Sequence, residues 1–145
     1  MWTYEHSIDT TADPEAVWSL YRDVATWPEW NAAVAAVVLD GEFAAGSTGT
    51  LTPRGQRGLP FRLVTTVDGG GYTSETDIAE TVTLRLTNTL KPLDGGGTRV
   101  THRAELVGPA AEFFGQSFGP VIANGIPPAM HALVDRAARS PAADR

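Results

Sequence analysis

The chain has 145 residues, 19% of them charged, and a formal net charge of -6. That length carries one hydrophobic core without staples, and the acidic balance excludes the broad basic surface that a nucleic-acid partner needs. Cysteine is absent, which excludes a disulfide framework, a thiolate metal site and a thiol nucleophile, and fits a reducing cytoplasm.

The N-terminal MWTYEHSIDT lacks the basic and then apolar blocks of a secretion signal. No apolar run approaches the roughly 18 residues of a membrane span, so a cytoplasmic location is expected. Trp2, Tyr4, His6 and Ile8 alternate with Thr3, Glu5, Ser7 and Asp9. Period two predicts a strand with the even positions inward, which puts His6 among large apolar groups. Asp13-Pro14-Glu15 has the marks of a helix start: a capping side chain, proline at the first helical position and an acid in the first turn. Val17, Trp18 and Tyr21 fall on one side at helical spacing, and this helix is expected to end near Asp23. A second short helix is predicted over Trp27 to Asn31, with Trp27 and Trp30 on one face.

Val34 to Leu39 and Thr48 to Thr52 read as strands. Pro53 to Gly58 is a polar, basic loop with Arg54 and Arg57, expected to be solvated. In the next strand Phe61, Leu63, Thr65 and Val67 are expected on one face, with Arg62, Val64 and Thr66 on the other. Gly69-Gly70-Gly71 turns the chain, and Tyr72 to Ile78 runs back. Parity sets Tyr72, Ser74, Thr76 and Ile78 on one face and Glu75 and Asp77 on the other. Arg62 and Arg85 are expected to point to solvent.

The hairpin that follows is the strongest local pattern. Leu86, Asn88 and Leu90 alternate with Thr87, Thr89 and Lys91; Val100, His102, Ala104 and Leu106 alternate with Thr101, Arg103 and Glu105. Asp94-Gly95-Gly96-Gly97 supplies the positive φ angles of the turn. Folding about it sets Asn88 opposite His102 on an otherwise apolar face. Polar side chains there need partners or a cavity. From Ala110 the period becomes helical: Ala111, Phe114, Phe118, Ile122, Ile126, Met130, Leu133 and Ala137 recur at three or four residues. Gly119-Pro120 and Gly125 to Pro128 interrupt it, which predicts kinks or two helical pieces. Residues 141–145 are expected to be a frayed, disordered tail. The order of a strand, two short helices, about six strands and one long helix predicts an α+β domain over residues 1–140. The long helix is the only element large enough to cover the apolar face of the sheet.

Several segments resemble the START-related SRPBCC superfamily, in its polyketide cyclase/dehydrase and lipid-transport branch. They are Asp13-Pro14-Glu15 with Val17-Trp18, then Trp27-Pro28-Glu29-Trp30-Asn31, then Gly97-Thr98-Arg99-Val100-Thr101. The order of elements matches over essentially the whole chain. The resemblance implies a helix-grip fold, a curved antiparallel sheet of about seven strands wrapped around the C-terminal helix with a cavity between. It also implies that the first and last strands are neighbours, which would set His6 beside His102. The superfamily holds lipid carriers, hormone receptors, cyclases and dehydratases, so resemblance alone does not choose a function.

The sharpest candidate constellation is His6, Asn88 and His102. In a binding protein these would orient a ligand by hydrogen bonds; in an enzyme His6 and His102 are the candidate catalytic residues, because histidine titrates near neutral pH. The bland reading is that the three satisfy one another. Trp27, Trp30, Tyr72, Ile122, Ile126 and Met130 complete the expected ligand-binding set, although core packing is the ordinary role of such tryptophans. His131 and Asp135 read as a solvated pair. No metal is expected, since Glu5 faces away from His6 by parity and no third ligand is placed. No cofactor is expected either, because both glycine runs join strands and neither opens a helix. The function expected is binding of a small hydrophobic or aromatic ligand between sheet and helix. The alternative is a polyketide aromatase/cyclase or dehydratase using the same cavity. The chain is expected to work as a monomer or homodimer.

Overall fold

Seven strands form one antiparallel sheet in the order β1-β7-β6-β5-β4-β3-β2. They are β1 (Trp2–Thr10), β2 (Val34–Leu39), β3 (Thr48–Pro53), β4 (Leu59–Val67), β5 (Gly71–Ala79), β6 (Val82–Pro92) and β7 (Thr98–Val107). Helices α1 (Pro14–Arg22) and α2 (Trp27–Trp30) follow β1, joined by a short 3-10 turn at Val24–Thr26. Helix α3 (Ala111–Ala138) closes the chain and lies over β1 and β7. This is the helix-grip arrangement. The computed structural model describes residues 2–139, so the expected tail at 141–145 lies outside the described residues.

Alternation divides the sheet as its period requires. The outer face carries a checkerboard of charge: Arg62 bonds Glu75 at 3.0 Å and Asp77 at 3.0 and 3.1 Å, and Arg85 bonds Glu75 at 2.9 Å. Arg62 and Arg85 do lie outward, yet they are paired and not simply solvated. The inner face carries the core, which forms two apolar clusters. The larger gathers α1, α2, the C-terminal half of α3 and the inner faces of β2, β4, β5, β6 and β7. The smaller is built on Val82, Leu106 and Ala111, with Trp2, Leu84, Phe114 and Ile122 packed against it.

Three expectations need correction. The register of β4 against β5 shifts between Leu63 and Thr65. Such a bulge adds one residue to one strand and reverses the parity beyond it. Phe61 and Leu63 are therefore buried, while Thr65 and Val67 face out and are exposed. Asp13 sits at the N-cap of α1 without a side-chain capping bond, because its own carbonyl takes the Ala16 N–H at 3.0 Å. Finally, α3 is not split into two pieces: it runs as one helix through Pro120, Pro127 and Pro128. Pro120 and Pro128 lie on its exposed side, where water can take the carbonyls they release.

In the N-terminal half of α3 the apolar stripe packs inward at Ala111, Phe114 and Ile122 but not at Phe118. Phe118 is 49% exposed, whereas Gly115 and Gly119 are buried. A Cβ at Gly119 would overlap the Trp2 indole, and one at Gly115 would lie 2.6 Å from the Trp2 Cβ. The two glycines form a notch for Trp2. Gly119→Ala should gain about 1 kcal/mol of helix propensity and lose about 2 kcal/mol to overpacking. The net loss of about 1 kcal/mol would be read from urea midpoints. A stabilised variant would show that the notch is not tight.

Candidate functional site

Register places four inward side chains in one row across the sheet. His6 of β1 faces His102 of β7, His102 faces Asn88 of β6, and Asn88 faces Tyr72 of β5. On one side of this row lie Ile8, Val100 and Leu90, and on the other Tyr4, Ala104, Leu86 and Ser74. The polar row is roofed from α1. Tyr21 Oη lies 2.7 Å from His102 Nε2, and Asn88 Nδ2 donates to Tyr72 Oη at 2.8 Å. Tyr21, Tyr72, Asn88 and His102 are all buried, and His6 at the end of the row is half-buried.

Burial keeps Tyr21, Tyr72 and His102 uncharged near neutral pH. It pushes the His102 imidazole down to about 3, with His6 a further unfavourable neighbour for positive charge. It pushes the Tyr21 hydroxyl well above the ordinary tyrosine range, helped by Tyr72. It raises Tyr72 too, against the opposing bond from Asn88. Near pH 7 His102 is an uncharged imidazole, and either tautomer sustains its bond to Tyr21. Two buried polar atoms have no partner among the described residues: Asn88 Oδ1 and Trp18 Nε1.

Next to the polar row the interior is incompletely sealed. Leu86 and Tyr4 are half-buried and belong to neither apolar cluster. Leu86 stands on β6, between β5 and β7, so solvent reaches its inward side chain only over the inner face. Helix α3 covers β1 and β7 and barely reaches β6. Leu86 and Tyr4 therefore stay part-exposed between the two clusters, one residue pair along the strands from Asn88 and His102, while Ala104 and Ser74 in the same row are buried.

The family described as Polyketide cyclase / dehydrase and lipid transport matches residues 1–140. The chain belongs to that family. No curated protein matches it. Solved structures share its fold at low identity. The di-domain ARO/CYC StfQ from the steffimycin biosynthetic pathway is 11% identical with a TM-score of 0.72, over 94% of this chain and 50% of that one. A START superfamily protein from Mycobacterium smegmatis is 12% identical with a TM-score of 0.70, over 92% and 97% of the two chains. A protein from Thermobifida fusca is 21% identical with a TM-score of 0.74, over 96% and 95%.

In this member of the polyketide cyclase/dehydrase and lipid-transport family, the residues singled out from sequence divide into groups. His6, Asn88, His102 and Tyr72 come together in the polar row. Trp27 and Trp30 are core residues, 3% and 4% exposed. Trp27 stacks on Tyr72 at 5.6 Å, meets Phe61 edge-on at 5.7 Å and donates through Nε1 to the Tyr21 carbonyl at 3.0 Å. Met130 is fully buried in the larger cluster and Ile126 packs against it, whereas Ile122 packs against the smaller cluster. Arg54 is exposed, as expected of that loop, and its Nε donates to the Ala32 carbonyl at 2.7 Å.

His131 and Asp135 are exposed, and Asp135 pairs with Arg139 at 2.8 Å. Both line an open recess of about 630 Å³ beside Asp9 and Thr10, and a second of about 510 Å³ lies beside Arg57 and Asp77. Neither recess is lined by the polar row. Among the described residues no group of three or more histidine, aspartate or glutamate side chains is placed to hold a metal, and no helix is long and apolar enough to cross a membrane. Tyr21 is the functional candidate that sequence reasoning missed. Its only signal was a hydroxyl on the otherwise apolar side of α1.

Proposed function

We propose that this family member binds a small hydrophobic or aromatic molecule in a cleft that opens over Leu86, with the ligand's polar end turned toward Asn88 and His102, and that it does so in the cytoplasm. The observation that carries this reading is the part-exposed pair Leu86 and Tyr4 on the inner face, one residue pair from a buried amide oxygen that lacks a partner. Residues two apart on a strand are separated by about 7 Å, so a molecule one ring long spans from Leu86 to Asn88. Affinity would come from apolar burial, at about 25 cal/mol per Å² before the costs of association. The few polar groups would set orientation.

The alternative, an aromatase/cyclase or dehydratase with His6 and His102 as proton carriers, finds less support in His102. A general base works best with a pKa near the working pH, and this imidazole is held near 3 with Tyr21 on its Nε2. Naphthalene titration followed by tryptophan fluorescence tests the binding reading. Saturable one-to-one binding is expected, with Leu86→Trp weakening it by about tenfold or more because the larger ring fills the cleft. His102→Leu should retain naphthalene affinity within about threefold, whereas a cyclase losing its general acid–base group would lose about a hundredfold in turnover. Absence of saturable binding to the wild type would overturn the proposal.

A further inference from the structure

We infer that Asn88 and Tyr72 together recognise a hydroxyl group on the ligand. The inference rests on the cleft reading above and adds the chemistry of the ligand's polar end. Asn88 is 2% exposed and Tyr72 is 3% exposed. The Asn88 amide spends its Nδ2 on Tyr72 Oη, at 2.8 Å, and leaves Oδ1 buried with no partner. Tyr72 Oη accepts that bond, and among the described residues its own proton has no acceptor. The row therefore keeps one unused acceptor and one unused donor. They are held close together, since Oδ1 and Nδ2 share one carbon and Nδ2 touches the tyrosine oxygen.

A hydroxyl satisfies both at once. Its proton goes to Asn88 Oδ1, and its oxygen accepts the Tyr72 proton. An ether or ketone oxygen accepts from Tyr72 but leaves Oδ1 buried and unpaired, which costs the desolvation of that group. A carboxylate would set a negative oxygen against Oδ1, and an ammonium would offer nothing to the tyrosine proton while losing its own hydration. Tyr21 and His102 occupy each other and do not compete for the ligand.

The test is a comparison of naphthalene, 2-naphthol, 2-methoxynaphthalene and 2-acetylnaphthalene at pH 7 by tryptophan fluorescence. The wild type should bind 2-naphthol at least about tenfold more tightly than 2-methoxynaphthalene, a difference of about 1.4 kcal/mol. Asn88→Leu should bring the two within about twofold. Tyr72→Phe should narrow the same gap from the donor side. Equal affinity for naphthol and its methyl ether in the wild type, with naphthalene still binding, would overturn the hydroxyl inference and leave the cleft intact. Preference for the ketone would overturn it as well, by showing that the unpaired end of the amide is a donor. Failure of naphthalene to bind would remove the cleft and this inference with it. The wild-type ranking decides the matter even if a variant fails to fold.

Discussion

Trp27→Ala is expected to destabilise the protein by about 3–5 kcal/mol, the cost of truncating a large aromatic side chain in a packed core. Its ring is 3% exposed and touches three others: Tyr72 at 5.6 Å, Phe61 at 5.7 Å and Trp30 at 6.0 Å. Its Nε1–H also serves the Tyr21 carbonyl, in the last turn of α1, where helix geometry leaves carbonyls without internal partners. The alanine variant loses the burial and orphans that acceptor. Because Trp27 stacks on Tyr72 at 5.6 Å, the preference for a ligand hydroxyl should fall along with stability. Trp27→Phe restores much of the volume without the N–H and should cost about 1–2 kcal/mol. Urea unfolding followed by far-UV circular dichroism measures both. A loss below about 1 kcal/mol for the alanine variant would mean that the ring lines open space and does not fill the core.

Stability should also fall by about 2 kcal/mol between pH 7 and pH 5, through His102 alone. In the fold its imidazole is lowered from 6.5 to about 3, chiefly by burial. Between those values the unfolded chain binds a proton that the folded chain refuses. The contribution is therefore whole above pH 6.5 and is lost as pH falls from 6.5 toward 3. At pH 5 the unfolded side chain lies about 1.5 units below its pKa, and each unit is worth about 1.4 kcal/mol. The ion-paired carboxylates act in a lower window. Asp9 and Asp77 are held below 3.8 by Arg99 and Arg62, so their contributions persist above that value and fade only beneath it. Urea midpoints at pH 5, 6 and 7 for wild type and His102→Gln would separate the effects. A wild-type slope equal to that of the variant would show that the buried imidazole titrates normally.

Much of this architecture is legible in the chain because its causes are local. Strand parity put Tyr72, Ser74 and Thr76 inward and Glu75 and Asp77 outward, and all five lie so. The turn at Asp94 to Gly97 carried the register of β6 against β7, and Asn88 does face His102. Gly97 shows why glycine is needed there: its φ is +89°, and a Cβ would strike the Thr10 carbonyl. The pairing of His6 with His102 came only through resemblance, since nothing in β1 itself names its neighbour.

The misses share one cause. Periodicity knows the chain's own repeat but not the shape of what packs against it. No residue in β4 announces the bulge after Leu63, so Thr65 and Val67 read as inward. The stripe on α3 counted Phe118 as a contact and ignored Gly115 and Gly119, because hydrophobic pattern does not register the room that Trp2 requires. Core packing was the ordinary reading of Trp27 and Trp30, and both are buried in the larger cluster.

By itself, the sequence determined the elements, their inward faces and the presence of polar groups on an apolar wall, since dihedral preference, turn chemistry and period act over a few residues. Tertiary structure alone decided which of those groups were already spent. Tyr21 reaches His102 across 81 positions of sequence, and Asn88 is left with a free Oδ1 only because Tyr72 takes its Nδ2. Hydrogen-bond satisfaction in a low-dielectric interior depends on which distant donors and acceptors the fold brings within 3 Å or so, and no local pattern encodes that.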